Sequence, residues 1–498
     1  MADLLNEHFA NRLHDLQQSL RRNPADLDLQ QAMGQWLDAH SALFEAFVSP
    51  EALQFGIGPE KRDRRLRFLR HLLLHGFLPP RVEEHPGTPQ DSTTVNFGVV
   101  TSYFYPHTFS LLEAGLANPD VAVFAAYPAT SGDHAWIELH PEGKHVRVSL
   151  RRALMLEGDG LVWRYFKNPV PIHYLFPVDN YYRSKFHLVR MFDACEAPMP
   201  GSTIIREVCE NKALLHEIAG DIPGLQLACE LRLHHEDQDH QHTASLDRFI
   251  ATHKLQALVT KPVDGFGGAD VHFWELPAQR DALLNYVQEA LKGHDELLAQ
   301  GRIVPVPTKS GREWNLRQYV LREGPATIRS QWKRVRIGSG VLNTTQGARS
   351  ITAEQLLPDL DLDDDQRASF LAALRSTDAL ATDVLRALEA YLQRVWQHNR
   401  QRYRGSGSNL EPDLLALDFM IAHDPTRANG FAVYLNEIND FASGGMRDYE
   451  VLLHRQSLPD AEVVRATQEF SLAPHILATA HWRGSAYKEA VQPVTSMP

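Results

Sequence analysis

Apolar positions recur at three- and four-residue intervals through the first 80 residues, as in Leu13, Leu16 and Leu20 and again in Trp36, Leu37, Leu43 and Phe44. That period predicts a helical N-terminal region. Its last helix, residues 60–71, gathers Lys61, Arg62, Arg64, Arg65 and Arg67 on a basic face. A solvated helix face is the simpler reading, and contact with an acidic partner or a tRNA-like ligand is the other. Pro79, Pro80, Pro86 and Pro89 surround a linker over residues 81–93. From Thr94 the pattern changes to short apolar runs at 96–102, 121–127, 136–139 and 146–150, around a helical stretch at 109–117. This alternation predicts a small α/β domain with a roughly parallel sheet. Ligands sit at strand carboxyl ends in such sheets. The loops at 101–107 and 130–134, with His107 and His134, are therefore the places for one, although ordinary polar loop histidines explain both.

Two apolar runs towards the C-terminus carry the densest chemistry. Asp418 interrupts the first, and Glu437 and Asn439 close the second. On a strand, residues two apart share a face, so Glu437 and Asn439 project together, and Asp418 can reach them from a neighbouring strand. Three such oxygen-bearing side chains suit a hard cation such as Mg²⁺. An acid-tipped hairpin without metal is the alternative. Ser443, Gly444 and Gly445 follow as a turn whose backbone can approach a ligand. Upstream, an apolar strand ends at Lys261, and Gly265, Gly267 and Gly268 then form a loop able to fold over an anion. Their spacing fits neither the dinucleotide fingerprint nor the P-loop.

Three other segments read blandly. The His234–His242 run lacks metal-ligand spacing and reads as a solvated loop between strands, with adventitious metal binding its only other use. The acidic run at 359–365 lacks the glycine and final glutamate of a calcium loop and reads as the lead-in to a long helix over 366–400. Residues 402–408 read as a flexible connection. No internal repeat is visible.

Composition narrows the class. With 498 residues the chain has room for two to four domains, and its 43% hydrophobic and 22% charged content is that of a globular protein. A net charge of −12 argues against a general nucleic-acid or anionic-membrane surface. The N-terminus lacks the regions of a signal peptide, and no apolar run approaches the ~20 residues of a membrane span. Cys195, Cys209 and Cys229 are then expected to be reduced thiols. The expectation is a soluble, cytoplasmic protein.

Order decides more than any one motif. Asn211 and Lys212 open a helix; the Lys261 strand and glycine loop come next; Val304, Pro305, Val306 and Pro307 follow. Then come Glu313 to Arg317, an amphipathic helix, and finally Asp418 with the Glu437/Asn439 pair. This succession, over roughly residues 205–450, resembles the ATP-grasp superfamily of carboxylate–amine ligases, most closely its amino-acid and peptide ligases. The resemblance implies an α+β architecture with an α/β part. Residues 1–90 would be a helical N-terminal region and 91–205 a pre-grasp α/β domain. The N-lobe of the ATP-grasp fold would span 206–310 and its C-lobe, with the tail, 311–498.

By the same resemblance Lys212 and Lys261 would be the nucleotide lysines, and Gly265, Gly267 and Gly268 the loop over the phosphates. Val304 and Val306 would lie at the adenine hinge, where Pro305 and Pro307 lack N–H donors. Arg317 would meet the γ-phosphate or acyl phosphate, and Asn343 the metal–phosphate end. One or more of Lys333, Arg334 and Arg336 would meet the acyl substrate, with Arg336 taken as the catalytic one. Asp418, Glu437 and Asn439 would hold Mg²⁺. The implied function is ATP-dependent amide or peptide bond formation through an acyl phosphate, with ATP and Mg²⁺ as cofactors. Small-molecule or peptide carboxylates and amines would be the partners, and a homo-oligomer is left open. A phosphotransferase acting on a hydroxyl, or a non-catalytic ATP-binding module, are the alternatives.

Overall fold

The computed structural model describes residues 12, 15, 16, 19, 27–40, 84–85, 94–101, 106–128, 130, 135–142, 145–157, 160–178, 187–237, 239–263, 270–340, 342, 348–400, 402, 410–441 and 471–491. Two compact units divide the chain, residues 1–200 with 446–498, and residues 201–445. No helix among the described residues is long and apolar enough to cross a membrane. The basic stretch at 60–71, His134, the glycine loop with Gly265, Gly267 and Gly268, Asn343, and the turn at 443–445 lie outside the described residues.

In the first unit, helix α1 (Leu27–Ala39) buries Met33 and Leu37. Strand β1 (Val95–Thr101), helix α2 (Pro106–Leu116) and strand β2 (Val121–Ala126) follow, then β3 (Ile137–Glu142), β4 (His145–Glu157), β5 (Gly160–Pro171) and β6 (Tyr174–Val178). Strands β6, β1 and β2 are parallel neighbours, but β4 runs antiparallel to β2, β3 and β5. The expected roughly parallel sheet is thus corrected to a mixed one. Only two residues separate β3 from β4 and β4 from β5. Such short connections can close antiparallel pairs, whereas parallel neighbours need a long crossover.

The C-terminal helix Ala473–Val491 belongs to this unit, and at Gly484 an added Cβ would come within 2.5 Å of Val95. Beside it His173 is buried, and its Nδ1 accepts the Asn96 N–H at 3.0 Å. Burial, with nearby Lys488 adding to it, lowers His173 to about 4. The unfolded chain therefore takes up a proton that the folded one refuses. The stability so held is complete above the ordinary histidine range, ~6.5, and drains away as pH falls through it towards ~4, by about 2–3 kcal/mol in all. Urea midpoints followed from neutral to acid pH should fall less steeply in His173→Asn, whose amide oxygen can still accept the Asn96 N–H.

The second unit begins with helix α3 (Thr203–Glu210), a single 3₁₀ turn at Lys212–Leu214 capped by the Asn211 side chain, and helix α4 (Leu215–Ala219). Strand β7 (Glu230–His234), helix α5 (Asp239–His253), strands β8 (Ala257–Pro262) and β9 (His272–Glu275), helix α6 (Arg280–Ala290) and strand β10 (Glu296–Gly301) follow. These four strands form an antiparallel sheet in the order β9-β8-β10-β7, and Leu246, Phe249, Leu283 and Val287 of the helices pack on Leu233, Leu258 and Leu297. The histidine run is corrected here. His234 ends β7, whereas His240 and His242 lie in the first turn of α5, where His242 is buried with Nε2 2.9 Å from the His234 carbonyl. Among the described residues no group of three or more His, Cys, Asp or Glu side chains could hold a metal ion.

The larger sheet holds β11 (Glu313–Arg322), β12 (Ile328–Gly338), β13 (Arg349–Ile351), β14 (Leu414–His423) and β15 (Phe431–Asn439), with the short strand Leu225–Gln226 at one edge. Its order is β13-β12-β11-β14-β15, then 225–226. Between β13 and β14 the chain forms α7 (Asp364–His398), a helix of 35 residues. Asp363 caps it, accepting the Gln366 N–H while the Gln366 side chain accepts the Asp363 N–H. The acidic run is thus the helix lead-in that its composition predicts. Phe370, Leu374, Ala381, Leu385 and Leu388 of α7 share one core with Trp314, Leu316, Val335, Leu417 and Phe419 of the sheet.

Candidate active site

Alternation along the strands gives the larger sheet two different faces. One is the apolar face of Trp314, Leu316, Val335, Ile337, Leu417 and Phe419 against α7. Lys333 turns to this side as well, its Nζ 2.9 Å from Asp378 and donating to the Leu374 carbonyl. The other face carries Asn315, Arg317, Arg334, Arg336, Asp418 and Glu437. Register aligns them: Asn315 lies opposite Arg336, Arg317 opposite both Arg334 and Asp418, and Asp418 opposite Glu437. A bulge after Asp418 shifts the later pairing, and Asn439 faces Ala416. Sequence reading leaves open which basic residue of β12 belongs to the site. Strand parity answers it: Arg334 and Arg336 do, and Lys333 does not.

Asp418 sits at the centre, 1% exposed. Arg317 grips it with both ends of its fork, Nε to Oδ1 at 2.7 Å and Nη2 to Oδ2 at 2.9 Å. Arg336 donates a further short hydrogen bond to Oδ2, and its Nε donates to Asn315 Oδ1 at 3.0 Å. Burial pushes the Asp418 carboxyl up, but the two guanidiniums outweigh it and hold the group well below the usual carboxylate range. The arginines diverge. Burial opposes the charge of both, yet Asp418 leaves Arg317 raised, whereas Arg336, crowded also by Arg317, is lowered. Burial lowers Arg334 to about 10, against the opposing pull of Tyr319 and with Arg317 and Arg336 adding to the fall.

The lysines come from elsewhere in the unit. Lys212, in the turn that Asn211 caps, takes its N–H to the Val263 carbonyl and places Nζ 3.6 Å from Glu437 Oε1. Lys261 lies near the end of β8, opposite Leu298 of β10, and is 6% exposed. Burial lowers it to about 8, with Glu437 pulling it up and Lys212 pushing it down. Only the protonated form attracts phosphate. Nucleotide affinity measured by calorimetry should accordingly fall about three- to tenfold from pH ~7.5 to pH ~9, and Lys261→Met should flatten that dependence.

Three further expectations meet the structure here. Val306 is buried; it donates its N–H to the Ile421 carbonyl at 2.9 Å, and its own carbonyl accepts from Trp314 Nε1 at 2.8 Å. Both backbone groups are engaged within the fold, which corrects the expectation that Val306 offers a donor to a base. Val304 is 63% exposed. For the cation, Asn439 holds a buried amide nitrogen without a hydrogen-bond partner among the described residues. Turned over, that amide presents an oxygen at the same point. Glu437 and Asn439 therefore fit a hard cation, whereas both oxygens of Asp418 are already taken by arginine. Sequence reading missed Tyr319 and Asn315; each lies two residues from Arg317, so strand parity about a known site residue is the signal that finds them.

No protein-family model matches the sequence, and no curated protein matches it. Solved structures do. A D-alanine–D-alanine ligase from Coxiella burnetii is similar at 12% identity and a TM-score of 0.43, covering 80% of this chain and 97% of its own. A D-Ala:D-Ser ligase from Enterococcus faecalis shares 12% identity at 0.41, covering 76% and 99%. An ATP-grasp ligase associated with ribosomally made peptides in Chryseobacterium gregarium, solved with ADP, a leader and a core peptide, shares 13% at 0.41, covering 77% and 96%. Each is a ligase. At TM-scores below 0.5 these likenesses carry no weight for the chemistry, which stands on the side chains above.

Proposed function

We propose that the chain is an ATP-dependent carboxylate–amine ligase, forming an amide or peptide bond through an acyl phosphate and releasing ADP and phosphate. One observation carries this reading. Lys212 and Lys261 meet Glu437 at one end of a polar sheet face, and the Arg317–Asp418–Arg336 cluster occupies the adjoining strands. Cations at both ends suit a reaction whose two anionic partners must meet. A carboxylate is a poor electrophile until phosphorylated, and it resists approach to a triphosphate unless the charge of both is offset.

Lys212 and Lys261 would hold the phosphates, and Arg317 and Arg336 the acyl end and the oxyanion that forms as the amine attacks. Glu437 and Asn439 would hold Mg²⁺, which bridges phosphate oxygens and offsets their charge when bound. The expected location is the cytoplasm, and the amide-forming reaction calls for no nucleic-acid or membrane partner.

The test is product analysis from Mg-ATP with carboxylates and amines supplied singly and in pairs, using Glu437→Ala as the inactive control. ADP and phosphate that require a carboxylate–amine pair support the ligase. ADP with a phosphorylated alcohol indicates a phosphotransferase instead. AMP and pyrophosphate would sink the acyl-phosphate route, and nucleotide binding without any product would leave a non-catalytic module.

A further inference from the structure

Tyr319 is 2% exposed, and its hydroxyl has no hydrogen-bond partner among the described residues. It lies two residues beyond Arg317 on β11 and shares its face, with Trp332 directly across on β12 and Arg334 two residues further along that strand. A buried hydroxyl left unpaired is costly, and such groups in a folded protein ask for an explanation. A ligand atom is the explanation that its neighbours suggest. On β11, β12 and β14 this face carries three guanidiniums, Arg317, Arg334 and Arg336, around the Asp418 carboxylate, while Glu313 at the far end of β11 is taken by Arg302. Three strand spacings at about 4.8 Å each separate β12 from β15. The arginine end is therefore ~14 Å along the sheet from Glu437, where the two lysines gather.

A single carboxylate activated beside Arg317 does not account for so much cationic surface so far from the phosphate end. We propose that Tyr319 and Arg334 form a second oxyanion subsite, so that the acyl donor is a dianion. One of its carboxylates is activated beside Arg317 while the other is anchored by the Arg334 guanidinium and the Tyr319 hydroxyl. The substrate class is then a dicarboxylic acid, free or as an acidic residue in a peptide. The activated carboxylate rests on the ligase reading, whereas the anchoring subsite does not. Arg334 and Tyr319 present hydrogen-bond donors two residues further from the Asp418 clamp than Arg336, which gives the second anion a place distinct from the first.

The experiment pairs turnover with binding in the full-length chain. Hydroxylamine replaces the amine: its nitrogen attacks the acyl carbon, phosphate leaves, and a hydroxamate remains. Succinate, glutarate, aspartate and glutamate are each compared with the monoamide that lacks the second charge, and 3-phosphonopropionate tests whether a phosphonate can take the anchoring place. The dicarboxylates should exceed their monoamides by about 100-fold in kcat/KM, because a site built to pair a charged group strongly rejects the analogue lacking it. Tyr319→Phe should raise KM for the preferred dicarboxylate about tenfold with kcat little changed and the urea midpoint not lowered, since it deletes a hydroxyl that the unliganded fold does not use. Arg334→Gln should erase the preference.

Monoamides turned over as well as their dicarboxylates, preference for the phosphonate alone, or a Tyr319→Phe enzyme with unchanged KM would each overturn the proposal and leave the ligase standing. Should no carboxylate turn over, calorimetry with Mg²⁺ and a non-hydrolysable ATP analogue separates the two readings. Dicarboxylate binding that Tyr319→Phe weakens keeps the subsite and removes the ligase. No dicarboxylate binding removes the subsite.

Discussion

Asp418→Asn will destabilise the second unit by about 3–5 kcal/mol, the usual cost of breaking a buried ion pair from one side. The change is nearly isosteric, so no cavity opens, and a hydrogen-bonding oxygen remains for Arg317. What disappears is the charge around which three buried guanidiniums are gathered. Arg317 and Arg336 both donate to this one carboxylate, and Arg334 lies across the strand pair from Arg317. Without it, Arg317 loses the partner that offsets its burial. Urea unfolding near neutral pH gives the measurement, with the midpoint falling and the slope kept. Adding Arg336→Met should recover part of the loss, since removing one cation from an uncompensated cluster relieves repulsion. A cost under about 1 kcal/mol would mean that other anions neutralise the arginines and that Asp418 is not their keystone.

How much of this was legible beforehand depends on the range of the interaction involved. Glu437 and Asn439 share a face because they are two residues apart on a strand, and that period is local. The lead-in to α7 was likewise readable, because a capping box occupies only four residues, Asp363 to Gln366. Arg317 and Asp418 are different. They are 101 residues apart, and their pairing is set by the β11–β14 register, which no local pattern encodes. Asp418 therefore looked like an open metal ligand when it is in fact enclosed between arginines.

The same limit explains Val306, whose N–H is spent on Ile421 in a strand more than a hundred residues later. It also explains the first sheet, where apolar runs marked strands but not their direction. His242 fell differently. Its helix starts inside a polar, histidine-rich run with no apolar period to announce it, and His242 itself is buried.

Glu437→Ala should leave the fold nearly intact while removing turnover, the converse of the Asp418 result. The side chain is 27% exposed, and its 3.6 Å contact with Lys212 is a loose ion pair. Losing such a pair changes stability by no more than about 1 kcal/mol. Its chemical role is a different matter. Glu437 is the acidic group within reach of both lysines, and it stands beside Asn439 at the point where a hard cation fits. Deleting it should lower ADP release by about 10³-fold or more, as expected when a charge-stabilising group leaves a phosphoryl-transfer site. Glu437→Asp, which keeps the charge on a shorter arm, should retain part of the rate and regain more of it as Mg²⁺ is raised. A stability role would show the reverse pattern, with rate and urea midpoint falling together and no response to Mg²⁺. If Glu437→Ala released ADP at the wild-type rate, the lysine end of the sheet would not be the phosphate end, and the proposed ligase site would have to be given up.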